Sequence, residues 1–366
     1  MRKNSYAFCG GAFGDEGKGK IVDEYVNLLS SNNEVVVYRD NGGANAGHTI
    51  ELENGQRLAL HQLPSGVVSK NATVILGKGM VLHPGDLLAE IQSVKALVGD
   101  STHGTIMIDE MATLSLDTHR AFESVLSKWQ TGYAATGRGI SPAYADILFR
   151  HPLLARDLVD FDESKIAKHY QLYRALVAGL GGELSTTLVP TVDGKTLPVG
   201  AESAFINRLK IQSKQLVTYI QSVDQYLKTK WGDENIPFIF EKAQAVGLDA
   251  RWGVYPDITA SDCTFGGILS STEGIVDPRD ISVRSAVIKA TYMSTVGTRV
   301  LPTMMEEKLA SRIREDAHEY GATTKRPRGL AYIDIPMLRF FARVGDVNSY
   351  VITHMDIVYQ GVPIKV

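Results

Sequence analysis

The apolar positions of the first hundred residues fall into short runs, separated by glycine-rich turns and by stretches with helical spacing. Residues 5–9, 34–39 and 73–76 are rich in Val, Ile and aromatic side chains and bounded by Gly, Asn or Asp, which predicts buried strands. After His83-Pro84-Gly85-Asp86, the residues Leu87, Leu88, Ile91, Val94 and Leu97 recur at helical spacing up to Gly99. That predicts an amphipathic helix with Asp86 as its N-cap. Further strands are expected at residues 105–108, 237–240 and 350–353, and helices near residues 205–230 and 306–320, the latter ending at Gly321. Repeated strand, loop and helix predict an α/β protein with a large, mainly parallel central sheet flanked by helices, carrying helical insertions. A single catalytic domain over residues 1–366, with a helical subdomain at 150–232, is the expected organisation.

Composition narrows the function classes. The 366 residues are 44% hydrophobic and 22% charged, as in soluble globular proteins. A net charge of -3, with both signs mixed along the chain, excludes an extended footprint for nucleic acid. Anionic ligands must then be met locally. The N-terminus is too short an apolar stretch for a secretory signal, and no run approaches the roughly 18 apolar residues of a membrane span. No membrane partner and a cytoplasmic location are expected. Cys9 and Cys263 stand far apart, without the spacing of a zinc site or a disulfide framework, and read as buried reduced thiols.

Two loops carry chemistry. Residues 10–20, GGAFGDEGKGK, follow a strand and precede the helical pattern Ile21, Val22, Tyr25, Val26. Glycines let the backbone approach an anion and aim its N–H groups at it, the helix start favours negative charge, and Lys18 and Lys20 add cationic donors. Residues 14–20 satisfy GxxxxGK, yet Ile21 stands where the standard P-loop places a magnesium-binding Ser or Thr. Asp15 offers a metal ligand or a base within the loop instead. The second loop, residues 39–49 (RDNGGANAGHT), also ends a strand. Loops at the carboxyl ends of parallel strands line one crevice, so the two face each other and His48 stands where a proton donor is useful.

These strings resemble the signature blocks of adenylosuccinate synthetases: GDEGKGKIVD, GGANAGHT, His61-Gln62-Leu63-Pro64-Ser65-Gly66, residues 135–144 (ATGRGISPAY), 240–244 (FEKAQ), 255–259 (YPDIT) and 321–328 (GATTKRPR). They run in family order. The resemblance implies a P-loop-like fold and a ligase that joins L-aspartate to the 6-position of a purine 5′-monophosphate, with hydrolysis of a nucleoside triphosphate. It implies that Asp15 takes the N1 proton, so that the 6-oxygen attacks the γ-phosphate and aspartate then displaces phosphate. His48, Lys18 and Gln244 complete the implied catalytic set, and Asp15 with the Gly47 carbonyl is expected to bind Mg²⁺. Asp15, Asn45, Thr136, Arg150, Gln244, Thr259 and Arg326 are expected at the purine monophosphate. Gly14, Glu16, Gly17, Lys18, Gly19, Lys20, Gly47, His48, Thr49, Arg328 and Asp356 are expected at the donor nucleotide. Thr323, Thr324, Arg326 and Arg328 are expected at aspartate. A homodimer is implied, with Arg150 reaching the partner's 5′-phosphate.

The departures from the family pattern bear on specificity. Ala12-Phe13 replaces Gln-Trp, Ala44 a His, Ala135 a Thr, and His354 the Lys of the guanine-reading Thr-Lys-x-Asp, here Thr353-His354-Met355-Asp356. Pro327 breaks a run of arginines, Arg299-Val300-Leu301-Pro302-Thr303 replaces Gly-Pro-Phe-Pro-Thr, and the chain stops at Val366, short of the usual length. ATP or dATP is therefore expected as donor. The bacteriophage branch of the family, which acts on dGMP in the aminoadenine DNA pathway, is the expected affiliation, with the host cytoplasm as its location. Asp15 speaks against it, because that branch often carries a smaller residue there, and IMP with GTP is the alternative pair. A nucleotide-dependent switch is the competing non-enzymatic class. It needs neither the purine-monophosphate set nor the aspartate set, and Ile21 breaks its metal-binding pattern.

Overall fold

The computed structural model describes residues 2–31, 33–52, 55–130, 136–295, 299–320 and 327–357. Its centre is a sheet of eight strands: β1 (Arg2–Gly10), β2 (Val35–Arg39), β3 (Ala72–Leu76), β4 (Thr105–Asp109), β5 (Ile220–Gln221), β6 (Phe238–Ala245), β7 (Ile281–Lys289) and β8 (Ser349–Thr353). They lie in the order β5-β4-β3-β2-β6-β1-β7-β8, and every neighbouring pair is parallel. Strand alternation divides the core between the two faces. Phe8, Val37 and Val74 point to one face, where they meet Val22 and Val26 of α1 (Lys18–Leu29) and Leu87 and Ile91 of α2 (Pro84–Val98). Ala7, Cys9, Val36, Tyr38 and Phe240 point to the other and meet Phe265 and Ile268. Cys9 and Cys263 are buried free thiols, each pushed up to about 12 by burial.

The predicted strands are all present, and the expected parallel α/β sheet is observed. Three readings are corrected, and one strand is added. The N-cap of α2 is His83, whose Nδ1 accepts from the Asp86 amide (3.1 Å), because Pro84 opens the helix and puts Asp86 inside its first turn. The Asp86 carboxylate turns instead to Arg120 (2.6 Å). After α3 (Asp117–Leu126), α4 (Ile140–Leu148) and α5 (Glu163–Gly179), the helix expected at 205–230 proves to be two, α6 (Glu202–Leu216) and α7 (Asp224–Gly232). A single turn and β5, which joins the edge of the central sheet, separate them. The helix α8 (Glu307–Ala317) is closed by His318 in the left-handed conformation (φ 52), three residues before Gly321, which lies outside the described residues. The pattern missed β7, whose Ser282, Arg284 and Ser285 interrupt its apolar run, although it pairs with β1 at the middle of the sheet. A last helix, α9 (Ile335–Gly345), adds Leu338 and Phe341 to the second face.

In the segment 150–232, Ile166, Tyr170, Tyr173, Val177, Phe205 and Leu209 belong to the same buried cluster as Phe8 and Val37. No helix among the described residues is long and apolar enough to cross a membrane.

Candidate active site

β1 runs directly into the first glycine loop. A side chain at Gly10 would stand 2.5 Å from the Glu16 carboxylate and from Ala245, so the turn closes only with glycine there. Glu16, expected at the donor nucleotide, turns inward instead: it is 2% exposed and accepts from the amides of Ala12 (3.2 Å) and Gly14 (2.8 Å). It is the internal clamp of the loop, and Thr353 of β8 donates to its carbonyl (2.7 Å). Gly14, Asp15 and Gly17 take positive φ values of 96, 58 and 89, a sequence of left-handed turns of the kind that gathers backbone N–H groups toward one anion. Gly17 then caps α1 without any side-chain hydrogen bond, which leaves the first-turn amides open to a ligand. Lys18 is half-buried beside Glu16 (3.3 Å), while Asp15, Lys20 and Gly47 are exposed.

The second loop is stitched to the end of β6. Asp40 and Lys242 form a buried ion pair, and Asn41 accepts from the Ala243 amide (2.8 Å) and donates to Ser261 (3.2 Å). Gly42 (φ 79) would clash with Ala243 if it carried a side chain. The loop thereby delivers His48 onto α1: a Cβ at Gly19 would lie 2.8 Å from the His48 Cβ, so the last glycine of the first loop is the seat of the imidazole. Behind the ring, Glu241 accepts from the Ser65 amide (2.8 Å) and hydroxyl (3.3 Å) and stands 3.7 Å from His48 Nε2. Burial, opposed by the Glu241 charge, pushes the His48 pKa down to about 4. The imidazole is neutral in the free protein at pH 7.

Gln244 arises from a break in strand register. Phe8 faces Glu241 and Gly10 faces Ala245, so β6 bulges between them and Gln244 takes φ 57. Its Oε1 accepts from Ser261 (3.4 Å), and the Thr259 amide bonds the Leu248 carbonyl (2.8 Å). Asn45 Oδ1, His48 Nε2, Gln244 Nε2 and Thr259 Oγ1 are buried atoms without a hydrogen-bond partner among the described residues. A polar ligand reaching them would satisfy all four.

Farther out, exposed Thr136 leads into a turn locked by Ser115, which donates to the Arg138 carbonyl (2.9 Å), and by Glu123, which accepts from the Gly139 amide (2.9 Å). Arg150 stands exposed just past α4 at φ 67, and Thr49 and Asp356 are also exposed. Arg328 is buried and pairs with both Asp15 and Glu319. Ala135, Thr323, Thr324 and Arg326 lie outside the described residues. Glu241, Lys289, Tyr292 and Glu319 were not singled out in the sequence. For Glu241, Lys289 and Tyr292 the available signal was a charged or hydroxyl-bearing residue within a strand; Glu319, just after α8, had none.

For Mg²⁺, the exposed Asp15 carboxylate and the Gly47 carbonyl are hard oxygen donors of the right kind. Gly47 has open space around it. A second grouping with ligand-like side chains, His119, Asp146 and His169, is buried. Within it His119 and Asp146 are hydrogen-bonded to each other, while His169 bonds Thr118 (2.8 Å), and the grouping does not fit a metal centre. The Leu116 amide donates to His119 Nδ1 (2.8 Å), so the ring proton is on Nε2 and is donated to Asp146 (3.0 Å). No lone pair remains there for a cation.

A parallel sheet whose first strand feeds a glycine loop and the open start of a helix defines a P-loop-like, nucleotide-binding α/β protein. The family model for adenylosuccinate synthetase matches residues 7–366, and the chain belongs to that family. It is a carbon–nitrogen ligase of the type that joins aspartate to a purine nucleotide. Its sequence is 33% identical to the adenylosuccinate synthetase of Acetivibrio thermocellus over 351 residues, covering 95% of this chain and 77% of that one. With the Thermus thermophilus enzyme it shares 33% identity over 353 residues, 96% of this chain and 78% of the other. The fully ligated adenylosuccinate synthetase from Plasmodium falciparum superposes with a TM-score of 0.80 at 30% identity, over 98% of this chain and 78% of that one. The cyanophage S-2L succinoaminodeoxyadenylate synthetase bound to dGMP and dATP gives a TM-score of 0.66 at 18% identity, over 96% and 85%, a likeness of fold alone.

Proposed function

We propose that this ligase condenses L-aspartate with dGMP, using ATP or dATP, in the cytoplasm of the cell that makes it. The observation that carries the reading is the set of unpartnered buried atoms on Asn45, His48, Gln244 and Thr259, next to a phosphate-type loop. The 6-oxygen of a purine is a poor leaving group and must first be phosphorylated. Asp15 accepts the N1 proton as the 6-oxygen attacks the γ-phosphate, and Gln244 Nε2 steadies that oxygen. Lys18 and His48 face the charge that develops on the donor phosphates, and the amine of aspartate then displaces phosphate from C6. Asp15 and the Gly47 carbonyl would hold Mg²⁺, which neutralises donor-phosphate charge when bound. Thr136 and Arg150 serve the 5′-phosphate, Arg150 from the second subunit of a homodimer. The loop of Thr323, Thr324 and Arg326 serves aspartate.

Guanine presents the same 6-oxo group and N1–H as hypoxanthine, so the chemistry needs no new catalytic group. Ala12 and Ala44 replace larger family residues at the roots of both loops, which supports room for its additional 2-amino group, and Asp15 is an acceptor for it. On the donor side His354, half-buried with Nδ1 at the Tyr292 hydroxyl (3.2 Å), replaces a flexible lysine stem. That weakens discrimination against adenine. A second reading, IMP with GTP, is favoured by the 33% identity to cellular synthetases.

Mass spectrometry of products formed with aspartate, Mg²⁺, ATP or GTP, and either dGMP or IMP tests both. An aspartate adduct of dGMP, formed with ATP at least as well as with GTP, is expected. Adenylosuccinate from IMP with no adduct of dGMP would replace the acceptor and keep the chemistry. No adduct from either purine would overturn the reading.

A further inference from the structure

A buried charged cluster lies behind the first loop. Glu319 is 2% exposed; its Oε1 accepts from Lys289 Nζ and from the Tyr292 hydroxyl (2.7 Å), and its Oε2 from Arg328 Nη1 (3.3 Å). Lys289 also donates to Ser294 (2.7 Å), and the Arg328 amide to the Glu319 carbonyl (3.1 Å). Glu319 thus holds Arg328 by both backbone and side chain. The other amino nitrogen of Arg328 pairs with Asp15, and its Nε, buried, has no hydrogen-bond partner among the described residues.

A guanidinium is a rigid planar fork, so fixing one arm fixes the direction of the other. Here Lys289 and Tyr292 fix the carboxylate, the carboxylate fixes one arm, and the second arm points at the loop. Glu319 holds one arm of the guanidinium, and in the free chain Asp15, on the loop side, pairs with the other. Phosphate or carboxylate oxygens of a substrate present the same chemistry as the Asp15 carboxylate and compete with it for the fork.

We propose that Glu319 is a positioning residue: fixed by Lys289 and Tyr292, it aims the Arg328 fork at the first loop, where Asp15 occupies the guanidinium until an anionic substrate takes its place. The assignment rests on the ligase reading above. It also places Asp15 in a resting pair from which substrate binding must release it.

The test is a double-mutant cycle of Glu319→Gln and Arg328→Met, with donor nucleotide and aspartate varied separately. Glu319→Gln is expected to raise the KM for the anion that Arg328 holds by about ten-fold, to leave the KM for the purine monophosphate within about two-fold, and to add nothing in the Arg328→Met background. A rise confined to the nucleotide assigns the fork to phosphate, and one confined to aspartate assigns it to carboxylate. Tyr292→Phe, which removes one of the bonds fixing Glu319, should shift the same KM less, and it replaces Glu319→Gln in the cycle if that variant does not fold. Additive effects, or an unchanged KM for both anions in a folded variant, would overturn the proposal. If the wild type forms no aspartate adduct, the ligase reading fails by itself, and the same cycle is then read by calorimetric titration of nucleotide and of aspartate.

Discussion

Asp15 holds a left-handed backbone conformation, φ 58, which short side chains that bond locally tolerate and most others do not. Asparagine shares that tolerance, so Asp15→Asn removes the charge without straining the loop. Under the proposed role as base, kcat is expected to fall by about 10²-fold or more, while the melting temperature stays close to that of the wild type. Retained turnover in steady-state assays would remove Asp15 from the chemistry. His48 makes a different demand. Its pKa, pushed down from the ordinary 6.5 to about 4 by burial against the opposing Glu241 charge, keeps the ring neutral in the free protein. Carbon-detected NMR, with the His48 signal assigned by its loss in His48→Gln, should show no titration between pH 8 and about 5. A step near 6.5 would mean that the ring is open to water, with Gly19 no longer its seat.

At the scale of elements, the network of His119, Asp146, His169 and Tyr173 fastens α4 to α3 and α5. Asp146 on α4 accepts from His119 on α3 (3.0 Å) and from Tyr173 on α5 (2.7 Å). Asp146→Ala strands both donors in the interior and should destabilise the protein by about 3 kcal/mol, read from denaturant unfolding. A chelator should leave the melting temperature of the ligand-free protein unchanged, since the His119 tautomer offers no ligand atom. The strands were legible wherever both faces are buried, as in Val35-Val36-Val37, because burial leaves an unbroken apolar run. β7 was not, since the side chains that break its run, Arg284 among them, find partners that no local pattern announces: Arg284 Nε donates to the Asp346 carbonyl (2.9 Å). The glycine loops were legible because close approach demands glycine, and the first strand-loop-helix junction stands where the spacing put it. The bulge at Gln244 depends on distant chain, Gly10 of β1, and local spacing carries no trace of it.

For the whole molecule, the open question is whether one chain completes a site. Past α4, Leu148 is 82% and Phe149 71% exposed, an unusual pair of large apolar side chains on a surface, and Arg150 follows them at φ 67. A second copy covering this face would bury them and bring Arg150 to a site that its own chain does not hold. Subunit complementation separates action across an interface from action within one chain. Arg150→Leu and Asp15→Asn should each be nearly inactive alone. In a hybrid dimer, the Arg150→Leu subunit retains Asp15 and borrows Arg150 from its partner, so one of its two sites is whole, while the other site carries both lesions. Random reassortment of an equal mixture makes about half the dimers hybrids, each with one working site, so about a quarter of wild-type activity should return. If Arg150 serves its own chain, every site in every mixture carries a lesion and no activity returns. Leu148→Asp adds the control: it should shift the protein to monomers by sedimentation and abolish complementation with it. A Leu148→Asp variant that remains dimeric and still complements would show that the interface lies elsewhere.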